Sequence, residues 1–369
     1  MFTRALHHKS GQAIRCPAQL LSGLIVILIT LASVSVAGLA QGVPLPAVGA
    51  NLEATSVSGL SSGAFMASQF HIAHSGSVIG VGIVTGGPYG CAEAATPFWA
   101  SWFGLSATVY WATGRCMAGS RLGLGIPAIR TLQAQVQSLA QSRRIDPLSE
   151  IARGRVYLFT STADDVVKSP VVDAVEALYA SLGVSRTNRE SIRHDKARHA
   201  LVTEEKGAAC GQRDRTFITD CDYDQAGAIL RHIYPDVRTR NARPSAALMT
   251  FSQEPFTRGL AAHGLADNGY AYLPPDCRDA SGCRVHVVFH GCSQAGESLA
   301  RDGGYAEWAD GNRLMVLFPQ VKASSDGGNP LGCWDWWGYT GRDYLTQAGP
   351  QIAAVNRMLD RLAKAPGSN

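Results

Sequence analysis

Gly59-Leu60-Ser61-Ser62-Gly63 stands between an apolar run, Ala54–Leu60, and a stretch with helical spacing, Ala64–Ala73. This G-x-S-x-G pattern constrains the fold more than any other feature. A chain that passes from strand to helix in five residues must bring the two elements very close, and small residues on both sides of one serine permit that. Such a turn exposes the Ser61 side chain. It also aims the Ser62 amide, at a helix N-terminus, toward an oxyanion developing beside the serine. In a chain with 39 Gly the five-residue pattern alone carries little weight, and the bland alternative is an ordinary glycine-rich turn. Its place between strand and helix gives it force.

Further along, short apolar runs alternate with amphipathic stretches. Strands are expected over Val78–Val84, Arg155–Phe159, Arg284–Phe289 and Leu314–Phe318. Helices are expected over Ala64–Ala73, Val171–Leu182, Ala226–Ile233 and Gln351–Ala363, the first burying Phe65, Met66, Phe70 and Ile72 on one face. This alternation predicts an α/β fold: a mostly parallel central sheet with helices on both faces. Residues 236–250 are expected to be a long surface connection, and composition does not force a domain cut there.

The N-terminus reads as a targeting segment. Arg4, Lys9 and Arg15 precede the apolar run Leu20–Val36, and Ala37, Gly38 and Ala40 follow it. Charge, apolar stretch and small residues in that order form a secretory signal, with cleavage expected near Ala40. The run is short for a membrane anchor and contains Ser22, Thr30, Ser33 and Ser35, so no stable membrane insertion is expected after signal removal. Those three basic residues account for most of the +4 formal charge, leaving a nearly neutral body with no electrostatic case for nucleic acid. Secretion or periplasmic placement follows, with residues 41–369 as one catalytic domain and no separate substrate-binding domain.

Nine cysteines fit an exported chain. With Cys16 in the signal, eight remain, an even number that suggests disulfides. Spacing alone does not fix connectivity. Proximity suggests Cys91–Cys116, Cys210–Cys221 and Cys277–Cys283, which leaves Cys292–Cys333. No C-x-x-C or H-x-x-x-H cluster supports a metal site, and no cofactor is expected.

Candidates for the partners of Ser61 are fewer than the residue counts imply. The strand Arg155–Phe159 runs into Thr160-Ser161-Thr162-Ala163-Asp164-Asp165, where a carboxylate just past a strand end can orient an imidazole. Asp164 or Asp165 fits, and the alternative role is a helix cap or solvated turn. Of ten histidines, His199 lies in a loop-like stretch after the acid, giving the Ser, Asp, His chain order of α/β-hydrolases. His71 and His74 are expected on the surface of the first helix, and His232 on a helix. Arg284–Phe289 leads into His290-Gly291-Cys292. In α/β-hydrolases a strand followed by His-Gly supplies an oxyanion amide, but upstream of the nucleophile. Finding it far downstream suggests a circular permutation, with His290 shaping the loop rather than acting as base.

These pieces together resemble the poly(3-hydroxybutyrate) depolymerase family of secreted esterases. The resemblance rests on Ser58-Gly59-Leu60-Ser61-Ser62-Gly63-Ala64-Phe65-Met66-Ala67, on Ser161-Thr162-Ala163-Asp164 with Val166-Val167, and on His199-Ala200-Leu201-Val202-Thr203. It continues through Phe217-Ile218-Thr219-Asp220-Cys221-Asp222-Tyr223-Asp224, His290-Gly291-Cys292 and Gly332-Cys333-Trp334-Asp335-Trp336-Trp337-Gly338-Tyr339. It implies a single-domain, disulfide-stapled, circularly permuted α/β-hydrolase. It also implies Ser61 as nucleophile, Asp164 as orienting acid, His199 as base and the amides of Ser62 and Cys292 as oxyanion donors. Two positions depart from the family pattern: Ser161 and Arg198 stand where glycine is frequent, and Arg198 beside the base is expected to alter the site's rim.

Trp334, Trp336 and Trp337 are either core packing or an apolar wall for an aliphatic polyester, with Trp334 the first choice for that wall. Trp99, Trp102 and Trp111 fall between Cys91 and Cys116, where a tied loop could form a second contact surface. The substrate expected by resemblance is poly(3-hydroxybutyrate) or its oligomers. Competing expectations are an esterase acting on feruloyl or acetylxylan groups of polysaccharide, and a non-catalytic surface binder on a hydrolase scaffold. Nothing in the sequence sets the oligomeric state.

Overall fold

Eight segments pair into one sheet, and the apolar residues of its central strands alternate between two buried faces. They are Thr55–Leu60 (β1), Val78–Val84 (β2), Arg155–Ser161 (β3), Arg189–His194 (β4), Met249–Ser252 (β5), Asn268–Tyr272 (β6), Arg284–Phe289 (β7) and Leu314–Phe318 (β8). The computed structural model describes residues 42–104, 108–238, 240–279, 281–326 and 328–368. The expected signal segment, with Cys16, lies outside the described residues.

The sheet order is β5-β6-β8-β7-β1-β2-β3-β4. β8, β7, β1, β2, β3 and β4 run parallel, while β5 and β6 join one edge antiparallel. The four C-terminal strands therefore precede the four N-terminal strands in space. This is the connectivity of a circularly permuted α/β-hydrolase, and β1, the strand before Ser61, lies at the sheet's centre with β7 beside it.

Val57, Val81, Ile83, Val285, Val287 and Phe289 point to one face. There they meet α1 (Ser62–Ala73), α2 (Ile129–Gln141), α3 (Ser169–Ser181) and α5 (Pro350–Ala363). Leu60, Val84, Tyr157, Phe159, Val288 and Val316 point to the other face, against α4 (Gln225–Ile233). Each fully buried large aliphatic or aromatic side chain contributes roughly 1.5–3 kcal/mol. That is why strands of only four to seven residues hold their register.

Two expectations about α1 need correction. It does not bury one stripe, because all twelve of its residues are buried. Its outer side is roofed by the tryptophan loop, where Phe65 stacks on Trp336 at 4.5 Å, while Phe70 packs on Phe289 of the sheet. His71 is a core residue and not a surface one, covered by Tyr179 of α3. Its Nδ1 lies 3.0 Å from the Tyr179 hydroxyl, and burial lowers its pKa to about 3. His74, at the helix C-terminus, is partly buried against Phe70. His232 lies on α4 as expected.

All four disulfides join the expected pairs: Cys91–Cys116, Cys210–Cys221, Cys277–Cys283 and Cys292–Cys333. Among the described residues, no helix is long and apolar enough to cross a membrane.

Candidate active site

Ser61 sits at the tip of the β1–α1 turn with φ 57° and ψ −120°. A non-glycine residue with positive φ is strained, and such strain persists only where the surroundings enforce it. Here they do. The Ser61 N–H donates to the Val84 carbonyl (3.0 Å), while Ala64 and Phe65 N–H groups donate to the Ser61 carbonyl. The two glycines of the motif are steric necessities. A Cβ at Gly59 would lie 2.3 Å from the Gly63 carbonyl oxygen, and one at Gly63 would lie 2.2 Å from the Phe289 carbonyl oxygen. The turn thus presses α1 onto both β1 and β7.

Asp164 and His199 meet at the same edge of the sheet. Asp164 Oδ1 accepts from the Val166 N–H (2.8 Å) and the Val167 N–H (3.0 Å), which fixes the carboxylate plane. Asp164 Oδ2 lies 2.8 Å from His199 Nδ1. The Asp164 side chain is wholly buried and that of His199 almost so. A hydroxyl the sequence did not single out, Thr85 Oγ1, lies 3.2 Å from the same ring nitrogen. Thr85 follows Val84, the acceptor of the Ser61 N–H, so the imidazole stands beside the elbow. Among the described residues, Ser61 Oγ and His199 Nε2 form no hydrogen bond in this state. Such contacts are commonly long without substrate and tighten in the complex. Asp165 is engaged elsewhere, by Arg198 and Arg213, and this decides between the two neighbouring acids.

His290 is not available as a base. It is completely buried, its Nδ1 lies 2.7 Å from the Gly291 carbonyl and its Nε2 accepts from the Val321 N–H at 3.1 Å. Burial lowers its pKa to about 4. The ring therefore works as a neutral brace for the loop that follows β7. Gln294 completes that brace by accepting from the Gly291 N–H at 2.7 Å. Gly291 lies against Ser61: a Cβ there would be 3.5 Å from Ser61 Cβ. Among the described residues, the amides of Ser62 and Cys292 have no hydrogen-bond acceptor. Backbone donors without partners are rare inside proteins, and two of them beside one strained serine form a ready site for an anion.

An apolar cavity of about 320 Å³ opens at this serine. Ser61, Ser62 and Cys292 line it together with Phe65, Met117, Leu331, Trp336 and Trp337. The tryptophans divide between the two roles weighed from sequence. Trp336 and Trp337 line the cavity. Trp334, the first choice for a wall, has 0% exposure and packs on Phe289 and His290 beneath the site. The Cys292–Cys333 bond pulls Trp334 inward, because it ties the residue before it to the oxyanion loop.

Asp335 shapes the tryptophan loop. Its carboxylate accepts from the N–H groups of Trp337, Gly338, Tyr339 and Thr340 and from the Thr340 hydroxyl. Burial raises its pKa, against the pull of those donors. No local pattern in the sequence announced this clamp, which holds two rings of the cavity wall in place.

Among the described residues, one side-chain cluster has a metal-like arrangement: His194 with Cys210 and Cys221. The two sulfurs are joined in a disulfide and offer no thiolate, so the donor set does not suit a metal.

No protein-family model matches the chain. It is 38% identical over 334 residues to a poly(3-hydroxybutyrate) depolymerase of Delftia acidovorans, an alignment spanning 88% of this chain and 63% of that one. It is 32% identical over 330 residues to a polyhydroxybutyrate depolymerase of Talaromyces funiculosus, spanning 84% of this chain and 90% of the relative. The crystal structure of PHB depolymerase from Penicillium funiculosum superimposes with a TM-score of 0.75 at 29% identity, covering 87% of this chain and 98% of that one. A PHB depolymerase variant complexed with an R3HB trimer matches equally well. Sequence and fold agree, and the chain belongs to the poly(3-hydroxybutyrate) depolymerase family.

Proposed function

We propose that this chain is an exported serine esterase that cleaves poly(3-hydroxybutyrate) or its oligomers through an acyl-enzyme. Ser61 is the nucleophile, His199 the general base and Asp164 the group that orients it. Asp164 keeps the proton of neutral His199 on Nδ1, which leaves the Nε2 lone pair to accept the Ser61 proton. Ser61 Oγ attacks the ester carbonyl. The N–H groups of Ser62 and Cys292 donate to the resulting oxyanion, an interaction typically worth 10²–10³ in kcat per donor. As the tetrahedral intermediate collapses, protonated His199 gives its proton to the leaving alkoxide. Water, deprotonated by His199, then releases the acid.

One observation carries this reading: a serine held at φ 57° between two unpartnered amides, in the wall of an apolar cavity. The cavity walls suit methyl-bearing aliphatic units better than hydroxyl-rich sugars, which favours a polyester over a polysaccharide ester. A grip on solid polymer has support on the neighbouring surface. Phe98, Trp102 and Phe103 are 81%, 75% and 71% exposed, and Val109 and Leu331, also exposed, line the cavity. Trp111, by contrast, is fully buried and belongs to the core.

The test is incubation of the mature protein with polyhydroxybutyrate film and with soluble hydroxybutyrate oligomers, followed by product analysis. Hydroxybutyrate products are expected from the wild type and none above background from Ser61→Ala. Near-wild-type hydrolysis by a folded Ser61→Ala protein would refute the assignment.

A further inference from the structure

A second cavity, of about 680 Å³, has His199 in its wall, which the apolar cavity does not. Its walls include His199, Phe217 and Ile218 together with three arginines, Arg198, Arg213 and Arg215. We propose that this cavity receives the free carboxylate of the leaving half of a hydroxyacid oligomer, with Arg215 as the principal cation. The proposal rests on the serine-esterase reading above.

The chemistry fixes which side the carboxylate occupies. When the ester C–O bond breaks, the acyl half stays on Ser61. The other half departs through the oxygen that His199 protonates. In a hydroxyacid oligomer that departing half carries the new hydroxyl at one end and the chain's free carboxylate at the other. A cation for that carboxylate must therefore lie on the His199 side, away from the apolar cavity that holds the acyl half.

The arginines are arranged to leave positive charge there. Arg198 and Arg213 share one carboxylate, that of Asp165. Arg215 forms no ion pair among the described residues. The other acid in the wall, Asp214, accepts from the Arg215 backbone N–H at 2.6 Å and from the Thr216 hydroxyl, so its charge is directed to its own turn. Three guanidinium groups thus face two carboxylates, both already engaged.

This wall is also firmly built. The Cys210–Cys221 disulfide closes the segment that bears Arg213 and Arg215. Arg198 Nε donates to the Gly211 carbonyl at 2.9 Å. Gln294 donates to the Thr216 carbonyl at 2.7 Å while accepting from Gly291 N–H, and so links the arginine segment to the oxyanion loop. The cation is held in register with the scissile bond, and cleavage should fall a short, fixed distance from the carboxyl end. An arginine met by a mobile carboxylate of suitable reach can bind it through two parallel hydrogen bonds.

The experiment compares a 3-hydroxybutyrate trimer as the free acid with the same trimer as its methyl ester. For the wild type at low salt, kcat/KM for the acid should exceed that for the ester about tenfold, as expected of one charge-assisted contact. High NaCl should close the gap by screening. Arg215→Gln should reduce the acid-to-ester ratio toward one, and Arg215→Lys should recover part of it. Equal kcat/KM for the two trimers at low salt, or an unchanged ratio in Arg215→Gln, would overturn the proposal. Failure of the wild type to hydrolyse either trimer would instead remove the esterase reading on which it depends.

Discussion

The two cavities beside Ser61 and His199 are both partly apolar, and they differ in the charge set into their walls. On the Ser61 side, Phe65, Met117, Leu331, Trp336 and Trp337 make an apolar wall. On the His199 side, three arginines and two acids share the wall with Val166, Ala200, Phe217 and Ile218. The elements that supply them differ too. The first is formed from α1, the Thr108–Cys116 helix and the tryptophan loop, braced by Cys91–Cys116 and Cys292–Cys333. The second hangs from short strands, Leu201–Thr203 and Ile218–Asp220, and is closed by Cys210–Cys221. A hydrolase that parts a chain into an acyl half and a leaving half needs two such compartments, and under the proposed reading each half would meet a surface of different charge.

Asp164 serves both compartments through His199, so its loss should not distinguish them. Asp164→Asn keeps the shape but removes the acceptor that fixes the imidazole tautomer. A loss of about 10⁴ in kcat is expected, equal for substrates that differ in acyl or leaving group. A loss confined to one substrate class, read from steady-state kinetics on paired esters, would show that the two sides do not share one base.

Trp336 separates the sides. It lines the acyl cavity and stacks on Phe65. Trp336→Ala should lower kcat/KM for butyrate esters relative to acetate esters by about tenfold, the scale of lost apolar contact. Changing the charge of the leaving group should not alter that factor. An equal fall for acetate and butyrate would mean the ring supports the fold without touching the acyl chain.

The last effect is read on stability instead of turnover and concerns three buried rings. His71, His286 and His290 are buried, and burial lowers their pKa values to about 3, 3 and 4. In the unfolded chain each takes a proton near 6.5. Acid therefore favours the unfolded state: stability is full above pH 6.5 and falls as pH drops toward 4. The loss should reach about 2 kcal/mol for each histidine by pH 5. Urea midpoints at pH 7 and pH 5 measure it. A midpoint that does not move would contradict the burial of these rings as neutral groups.

Much of this arrangement was legible in the sequence, for local reasons. Val78–Val84, Arg284–Phe289 and Leu314–Phe318 are apolar runs, and each is a strand with those bounds. The G-x-S-x-G turn, the Asp164 loop and His199 carry chemistry that short patterns reveal. Other features depend on contacts distant in sequence. The edge strand β4 reads Arg-Glu-Ser-Ile-Arg-His and is half solvated, so it lacks the apolar signature of its neighbours. β5 and β6 add antiparallel to the opposite edge, a pairing no local periodicity encodes. His71 was expected at the surface because the residues that cover it, Tyr179 and Gly154, lie far along the chain. Trp334 and Trp336 differ by two positions and take opposite roles, because Cys333 and Asp335 dictate which ring turns inward. Arg198 was flagged as a departure from the family pattern, but its companions Arg213 and Arg215 became visible only when the fold placed them around one cavity.

Labelling with a fluorophosphonate addresses the nucleophile assignment without any choice of substrate. The wild-type protein should gain one adduct, located by peptide mass spectrometry on Ser61, in step with loss of ester hydrolysis. His199→Ala should react far more slowly. Inactivation with the adduct on another residue, or full hydrolytic activity with Ser61 modified, would contradict the assignment.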